Sequence, residues 1–255
     1  MGLYRIEWRD GIAEISLACG KANALNPQSL AALSQAFDQA GETGTRGAGA
    51  RGVILTGYDR FFSAGFDLVS LYDLNRSKMS AFVREFDRVM LQVFAFPRPT
   101  VAAINGHAVA GGCILALACD ARLMPDHRGQ IGVNEIRLGV PFPASALEIA
   151  RHTLPMEYVD SILYGGQLYT PTEAMSRGLV DGLTSGDVLE EARAVCRRLA
   201  EQPSGAFRTI KAALKGPAVR RALDGREKLR KAFVEAWFSP DARRLIGEAR
   251  ARLMK

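Results

Sequence analysis

Residues 104–120 read Ile104-Asn-Gly-His-Ala-Val-Ala-Gly-Gly-Cys-Ile-Leu-Ala-Leu-Ala-Cys-Asp120. The apolar run Val101–Ile104 predicts a strand, Asn105–Gly106 a turn, and the pair Gly111–Gly112 the opening of an apolar helix from about Gly112 to Cys119. A helix that begins on glycine exposes backbone N–H groups with no side chain in the way, which suits it to holding negative charge on an oxygen. The same glycines serve equally well to let a buried helix pack closely, so form by itself leaves both readings open.

Strand and helix signals alternate outward from this stretch. Tyr4, Ile6 and Trp8 alternate with polar residues, Asp10–Gly11 predicts a hairpin turn, and Ala13, Ile15 and Leu17 alternate again. Asn26 before Pro27 predicts a helix start, with Leu30, Leu33 and Phe37 on one face and Gly41 at its end. Val53–Thr56 predicts a strand, and Phe61–Leu68 a turn of small residues between aromatics. Met79, Phe82, Val83, Phe86, Val89, Met90 and Val93 trace a helix that Pro97 and Pro99 end. Ala121–Met124 and Gln130–Val133 predict strands, Thr170–Pro171 a capped helix start, and the chain beyond Gly186 reads as helical. Pairs of strands alternating with helices, then a helical tail, predict an α/β core over residues 1–195 and a helical C-terminal subdomain over 196–255. A doubly wound sheet fits this pattern as well as other α/β arrangements do.

Composition excludes several classes. With 255 residues, 48% apolar and 24% charged, the chain reads as globular rather than disordered. Cys19, Cys113, Cys119 and Cys196 form no CxxC pair, and three scattered histidines complete no metal-ligand cluster, so neither a metal nor a disulfide framework is expected. No secretory signal or apolar run of membrane-spanning length is visible, and a reduced cytoplasmic setting is expected. The net charge of +6 is uneven: residues 208–255 hold 14 Lys/Arg against 5 Asp/Glu. That suits a phosphorylated ligand, an acidic partner, nucleic acid or a solvated helical face. Phe207, Phe233, Trp237 and Phe238 lie near helical spacing and read as core rather than stacking platforms, so no nucleic-acid partner is expected.

Two small-residue turns follow strands and could present backbone donors, Gly65–Phe66 and Gly111–Gly112. Downstream, Glu135 sits in Ile131-Gly-Val-Asn-Glu-Ile-Arg-Leu-Gly139, a carboxylate among apolar neighbours that would raise its pKa toward that of a working base. The plainer alternative is a salt-bridged Glu135 with Arg137 as its partner.

The combination resembles the enoyl-CoA hydratase/isomerase (crotonase) superfamily. The resemblance is carried by Lys21-Ala-Asn-Ala-Leu25, Val53–Gly57, Phe62-Ser-Ala-Gly-Phe-Asp-Leu68, the opening stretch, Gly132–Pro141 and Ala174–Val180, all in the family's order. It implies a crotonase-like spiral of ββα units, assembly into trimers or pairs of trimers, acyl-CoA thioesters as substrates, and a trimerisation and CoA-covering role for the helical subdomain 196–255. Coenzyme A is then part of the substrate and no other cofactor is needed. It further implies an oxyanion hole formed by the N–H groups of Phe66 and Gly111, with Lys21, Ala22 and Ala64 along the nucleotide and pantetheine part of the site. Preorganised donors of this kind are each worth about 3–4 kcal/mol to a thioester enolate. Pro141 and Phe142, close after Glu135, are expected to shape the acyl pocket.

Ile114 departs from the hydratase pattern. Hydratases of the family carry one glutamate at that position and a second at the position of Glu135, and the two together activate a water. Ile114 cannot hold or deprotonate a water, whereas Glu135 is kept. An aliphatic residue there, with Asn134-Glu135 retained, resembles the Δ3,Δ2-enoyl-CoA isomerase branch. The resemblance implies Glu135 as a single proton shuttle and a dry pocket around Ile114. Another enolate reaction on a CoA thioester, and non-catalytic acyl-CoA binding, are the competing expectations.

Overall fold

The computed structural model describes residues 2–20, 22–42 and 49–254. Strands β1 (Tyr4–Arg9) and β2 (Ile12–Leu17) form an antiparallel hairpin about Asp10 and Gly11, both at positive φ (51° and 76°), as a two-residue hairpin turn demands. Helix α1 (Pro27–Gly41) starts at a reciprocal cap. Asn26 Oδ1 accepts the Ser29 N–H at 2.9 Å, and the Asn26 N–H donates to Ser29 Oγ at 2.8 Å.

Three strand–strand–helix turns follow. The first is β3 (Gly52–Thr56), β4 (Phe61–Ser63), α2 (Leu68–Leu71) and α3 (Arg76–Phe94). The second is β5 (Thr100–Ala103), β6 (His107–Val109) and α4 (Gly111–Ala118). The third holds β7 (Ala121–Pro125), β8 (Ile131–Gly132), a 3-10 turn (Glu135–Leu138), α5 (Ala144–Thr153), α6 (Met156–Gly165) and α7 (Pro171–Ser176). Then come β9 (Gly182–Thr184), α8 (Val188–Ala200), α9 (Ser204–Trp237) and α10 (Pro240–Leu253).

The first strand of each turn joins a six-stranded sheet ordered β1-β2-β3-β5-β7-β9, and the second joins a three-stranded sheet ordered β4-β6-β8. Among the described strands, every strand–strand pairing but the first hairpin is parallel. The strand order never reverses, which rules out the doubly wound alternative and leaves a spiral of ββα units. The expected Phe61–Leu68 turn begins with the short strand β4, because Phe61–Ser63 finds β6 as a parallel partner.

Strand β3 is buried throughout because helices cover both faces of its sheet. Its alternation sends Val53 and Leu55 into the main core and Ile54 against Val188, Ala192 and Cys196 of α8. The boundary expected at 195/196 therefore falls inside α8, which packs on the sheet; the helical region that leaves the sheet begins with α9. Among the described residues, no helix is long and apolar enough to cross a membrane.

Two buried ion-pair groups close the spiral. Arg193 of α8 makes a two-pronged bond to Glu14 of β2, at 2.7 and 2.8 Å. Asp120, at the end of the opening stretch, takes Lys211 and Lys215 of α9 at 2.6 and 2.7 Å and the Thr100 N–H at 2.9 Å. Burial pushes the Asp120 carboxyl up, but the two ammonium groups outweigh it and hold it below its ordinary range.

Candidate active site

Helix α4 lies wholly in the core and begins at Gly111, one residue earlier than expected. The residue ahead of it, Ala110, adopts φ 51° and ψ −123°, an uncommon conformation for a side chain with a Cβ. Its N–H is spent on the Gly132 carbonyl at 2.8 Å, which anchors the turn to β8. Gly112 tolerates no side chain, since a Cβ there would come within 2.2 Å of the Ser63 carbonyl oxygen.

The second turn is brought against the first. Ala64 donates its N–H to Ala22 O at 2.9 Å, Leu25 donates to Gly65 O at 2.7 Å, and Asp67 donates to Leu25 O at 2.9 Å. Residues 64–67 are thus pinned to the segment before α1. Gly65 has φ 78°, and a Cβ on it would lie 3.0 Å from the Gly111 nitrogen, so the two turns touch. The Phe66 ring is wedged edge-on between Phe82 and Phe86 of α3, with centroids at 4.8 and 5.0 Å. Among the described residues, no acceptor takes the N–H of Phe66 or of Gly111. Two backbone donors are therefore held side by side by strands, helices and aromatic packing.

Glu135 opens the 3-10 turn after β8, which Gly139 (φ 72°) ends. Its Oε2 is buried without a hydrogen-bond partner, and among the described residues it joins no ion pair. Arg137, the partner that the plainer reading of the sequence offers, is exposed and makes no bridge to it. Burial in apolar surroundings pushes the Glu135 carboxyl up to about 7, only partly opposed by backbone N–H groups of Glu135 and Asn134. Such a group is half ionised near neutral pH and fits proton transfer in either direction.

One cavity of about 270 Å³ joins these parts. Ala64, Phe66, Gly111 and Glu135 all lie in its wall. The wall does not include Ala22, Ile114, Pro141 or Phe142. Ala22 stands behind the Phe66 turn as the acceptor of the Ala64 N–H, and Ile114 lies fully buried inside α4. After Glu135, it is Val140 and Pro143 that reach the wall rather than Pro141 and Phe142. Lys21 lies outside the described residues.

The sequence reading gave residues 196–255 a covering role but named none of the residues on the far side of the cavity. Phe233 and Trp237 of α9 and Ala249, Arg252 and Leu253 of α10 close it. The only signal for them was the near-helical spacing of Phe233 and Trp237, which reads as core. The two rings stack with centroids 5.9 Å apart, and Phe233 reaches Phe66 at 6.0 Å.

An apolar cavity with two unclaimed N–H donors and one carboxyl poised near neutrality defines an enzyme site suited to making and quenching an enolate. The sequence model of the family described as enoyl-CoA hydratase/isomerase matches residues 7–251, and the chain belongs to this family. A Bacillus subtilis relative named "Probable enoyl-CoA hydratase" is 31% identical over 91% of this chain and 89% of its own length. Mitochondrial enoyl-CoA delta isomerase 1 of Mus musculus is 32% identical over 76% of this chain and 66% of its own. The crystal structure of human mitochondrial delta3-delta2-enoyl-CoA isomerase superposes with a TM-score of 0.92 at 25% identity, over 99% of this chain and 98% of that one.

Proposed function

We propose that this chain isomerises 3-enoyl-CoA thioesters to the conjugated 2-enoyl form, with Glu135 as the single proton shuttle. The carboxylate of Glu135 takes a proton from the α carbon, and the electron pair spreads into a dienolate whose charge collects on the thioester oxygen. The N–H groups of Phe66 and Gly111 hold that oxygen, aided by the positive end of α4. The protonated Glu135 then returns the proton to the γ carbon, the thioester carbonyl re-forms, and the double bond lies in conjugation. No outside oxidant, reductant or water is consumed.

The observation that carries this reading is the lone carboxylate in the cavity wall, with its pKa raised and the buried aliphatic Ile114 where hydratases of the family carry a second acid. An apolar wall of Phe66, Leu68, Phe86, Leu138 and Val140 keeps water from competing for the dienolate. The same reading assigns the chain to fatty-acid β-oxidation, in the cytoplasm. It places Lys21 and Ala22 on the coenzyme A side and groups the chains in trimers or pairs of trimers.

Incubation with 3-hexenoyl-CoA, followed by the absorbance of the conjugated thioester, tests the reaction. Wild-type protein should turn it over and Glu135→Gln should not. Tight binding of 3-hexenoyl-CoA with no turnover would leave a non-catalytic acyl-CoA binder in its place. Hydration of a 2-enoyl-CoA as the faster reaction would make the chain a hydratase.

A further inference from the structure

A second cleft, between α3 and α9 and away from the Glu135 cavity, has a volume of about 620 Å³. Arg84 and Arg88 of α3 face Arg226 and Arg230 of α9 across it, and its carboxylates are Asp87 and Glu227. Within each helix the two arginines are four residues apart, so each pair repels along its own helix. The compensation on hand is incomplete. Arg88 is held by Glu85 at 2.6 and 2.9 Å, and Arg230 pairs with Glu227. Asp87 is buried, spends Oδ1 on the Ser145 N–H at 2.8 Å, and lies within reach of the charges of Arg226 and Arg230. Among the described residues, Arg84 and Arg226 have no ion pair. Between the charged rows, Leu91, Val219, Ala222 and Leu223 supply an apolar lining.

We propose that this cleft is a second ligand site, which takes a small organic phosphate ester through Arg84 and Arg226 and seats its alkyl part on Leu91, Val219, Ala222 and Leu223. Guanidinium groups match phosphate oxygens in a forked geometry, and a doubly charged headgroup relieves the repulsion on both helices at once. Two of the 14 Lys/Arg of residues 208–255, Arg226 and Arg230, thereby gain a ligand class. The site also touches the catalytic cavity through both helices. Asp87 neighbours Phe86 in the sequence, and Arg230 lies one turn before Phe233; both phenylalanines line the Glu135 cavity.

Calorimetric titration with hexyl phosphate tests the site, with inorganic phosphate and hexanol as its two halves. Hexyl phosphate should bind once per chain, at least tenfold more tightly than either half. Arg84→Gln/Arg226→Gln, two exposed and unpaired positions, should weaken it at least tenfold. Arg252→Gln, in the wall of the Glu135 cavity, should leave it unchanged. Failure of hexyl phosphate to bind, undiminished binding by the double variant, or loss in Arg252→Gln instead would overturn the proposal. Inorganic phosphate binding as tightly as the ester would also overturn it, since the apolar lining would then contribute nothing.

Discussion

Glu135 and Asp120 are both carboxylates at the edge of the core, and their surroundings treat them in opposite ways. Asp120 is saturated, with two lysines and a backbone N–H on its oxygens, and is held ionised. Glu135 is starved, with Oε2 buried and unpartnered, and its carboxyl is pushed up to about 7. The first arrangement fastens α9 to the end of α4. The second leaves a proton loosely owned beside two free N–H donors. A buried acid thus becomes structural or reactive according to how completely its neighbours satisfy it.

The contrast breaks most visibly at Glu135 itself. Glu135→Gln keeps the shape and removes the base, so kcat for 3-hexenoyl-CoA should fall by roughly 10²–10⁴ while the chain stays folded by circular dichroism. Asp120→Asn should do the reverse. Leaving two buried lysines without their counter-charge should cost about 3–5 kcal/mol in urea unfolding, with activity lost only as the fold is lost.

Stability against pH separates the two acids by sign. Glu135 holds its proton more tightly folded, near 7, than unfolded, about 4.3, so ionising it opposes folding. Its effect is a loss of stability as pH rises between those values, of up to about 4 kcal/mol, which Glu135→Gln should abolish. Asp120 is held below its unfolded value, so its contribution is present above about pH 4 and fades as pH falls through the folded value. From pH 4 to 8 the denaturant midpoint of the wild type should therefore fall relative to Glu135→Gln, whereas its lead over Asp120→Asn should stay constant there and shrink only below about pH 4. In the same range, kcat/KM of the wild type should rise with pH to a plateau with a midpoint near 7, because the free base does the work. The smallest effect is expected for Lys215→Met. Asp120 keeps Lys211 there, so the loss in urea unfolding should be clearly less than for Asp120→Asn.

The two acids were not equally legible in the sequence. The apolar neighbours of Glu135 lie within four residues of it, so its raised pKa could be argued from local composition. Nothing near Asp120 announces Lys211 and Lys215, which arrive from more than 90 residues away. Local signals likewise marked the Asp10–Gly11 hairpin, the Asn26 cap and the Gly111 helix start to within a residue. Period-two alternation says that a strand has two faces but not which sheet it joins, so the order of the spiral had to wait for the structure. The resemblance supplied the spiral, whereas the α9 and α10 wall of the cavity depended on tertiary packing. Leu253 and Arg252 sit on exposed, polar-looking turns and carry no pattern that separates a cavity wall from a solvated helix.

The order β1-β2-β3-β5-β7-β9 has a consequence for how the chain is made. Each strand of the large sheet docks on one already synthesised, so the sheet can grow from its first hairpin as the polypeptide leaves the ribosome, with no strand waiting for a later neighbour. The Glu14–Arg193 pair is the exception. Residues 179 apart in the chain must meet there, so Glu14 in the second strand has only its looser contact with Arg9, at 3.7 Å, until α8 has emerged and supplies the two-pronged bond. A sheet that grows in sequence order is in this way sealed by a contact between its second strand and the helix that follows its last one.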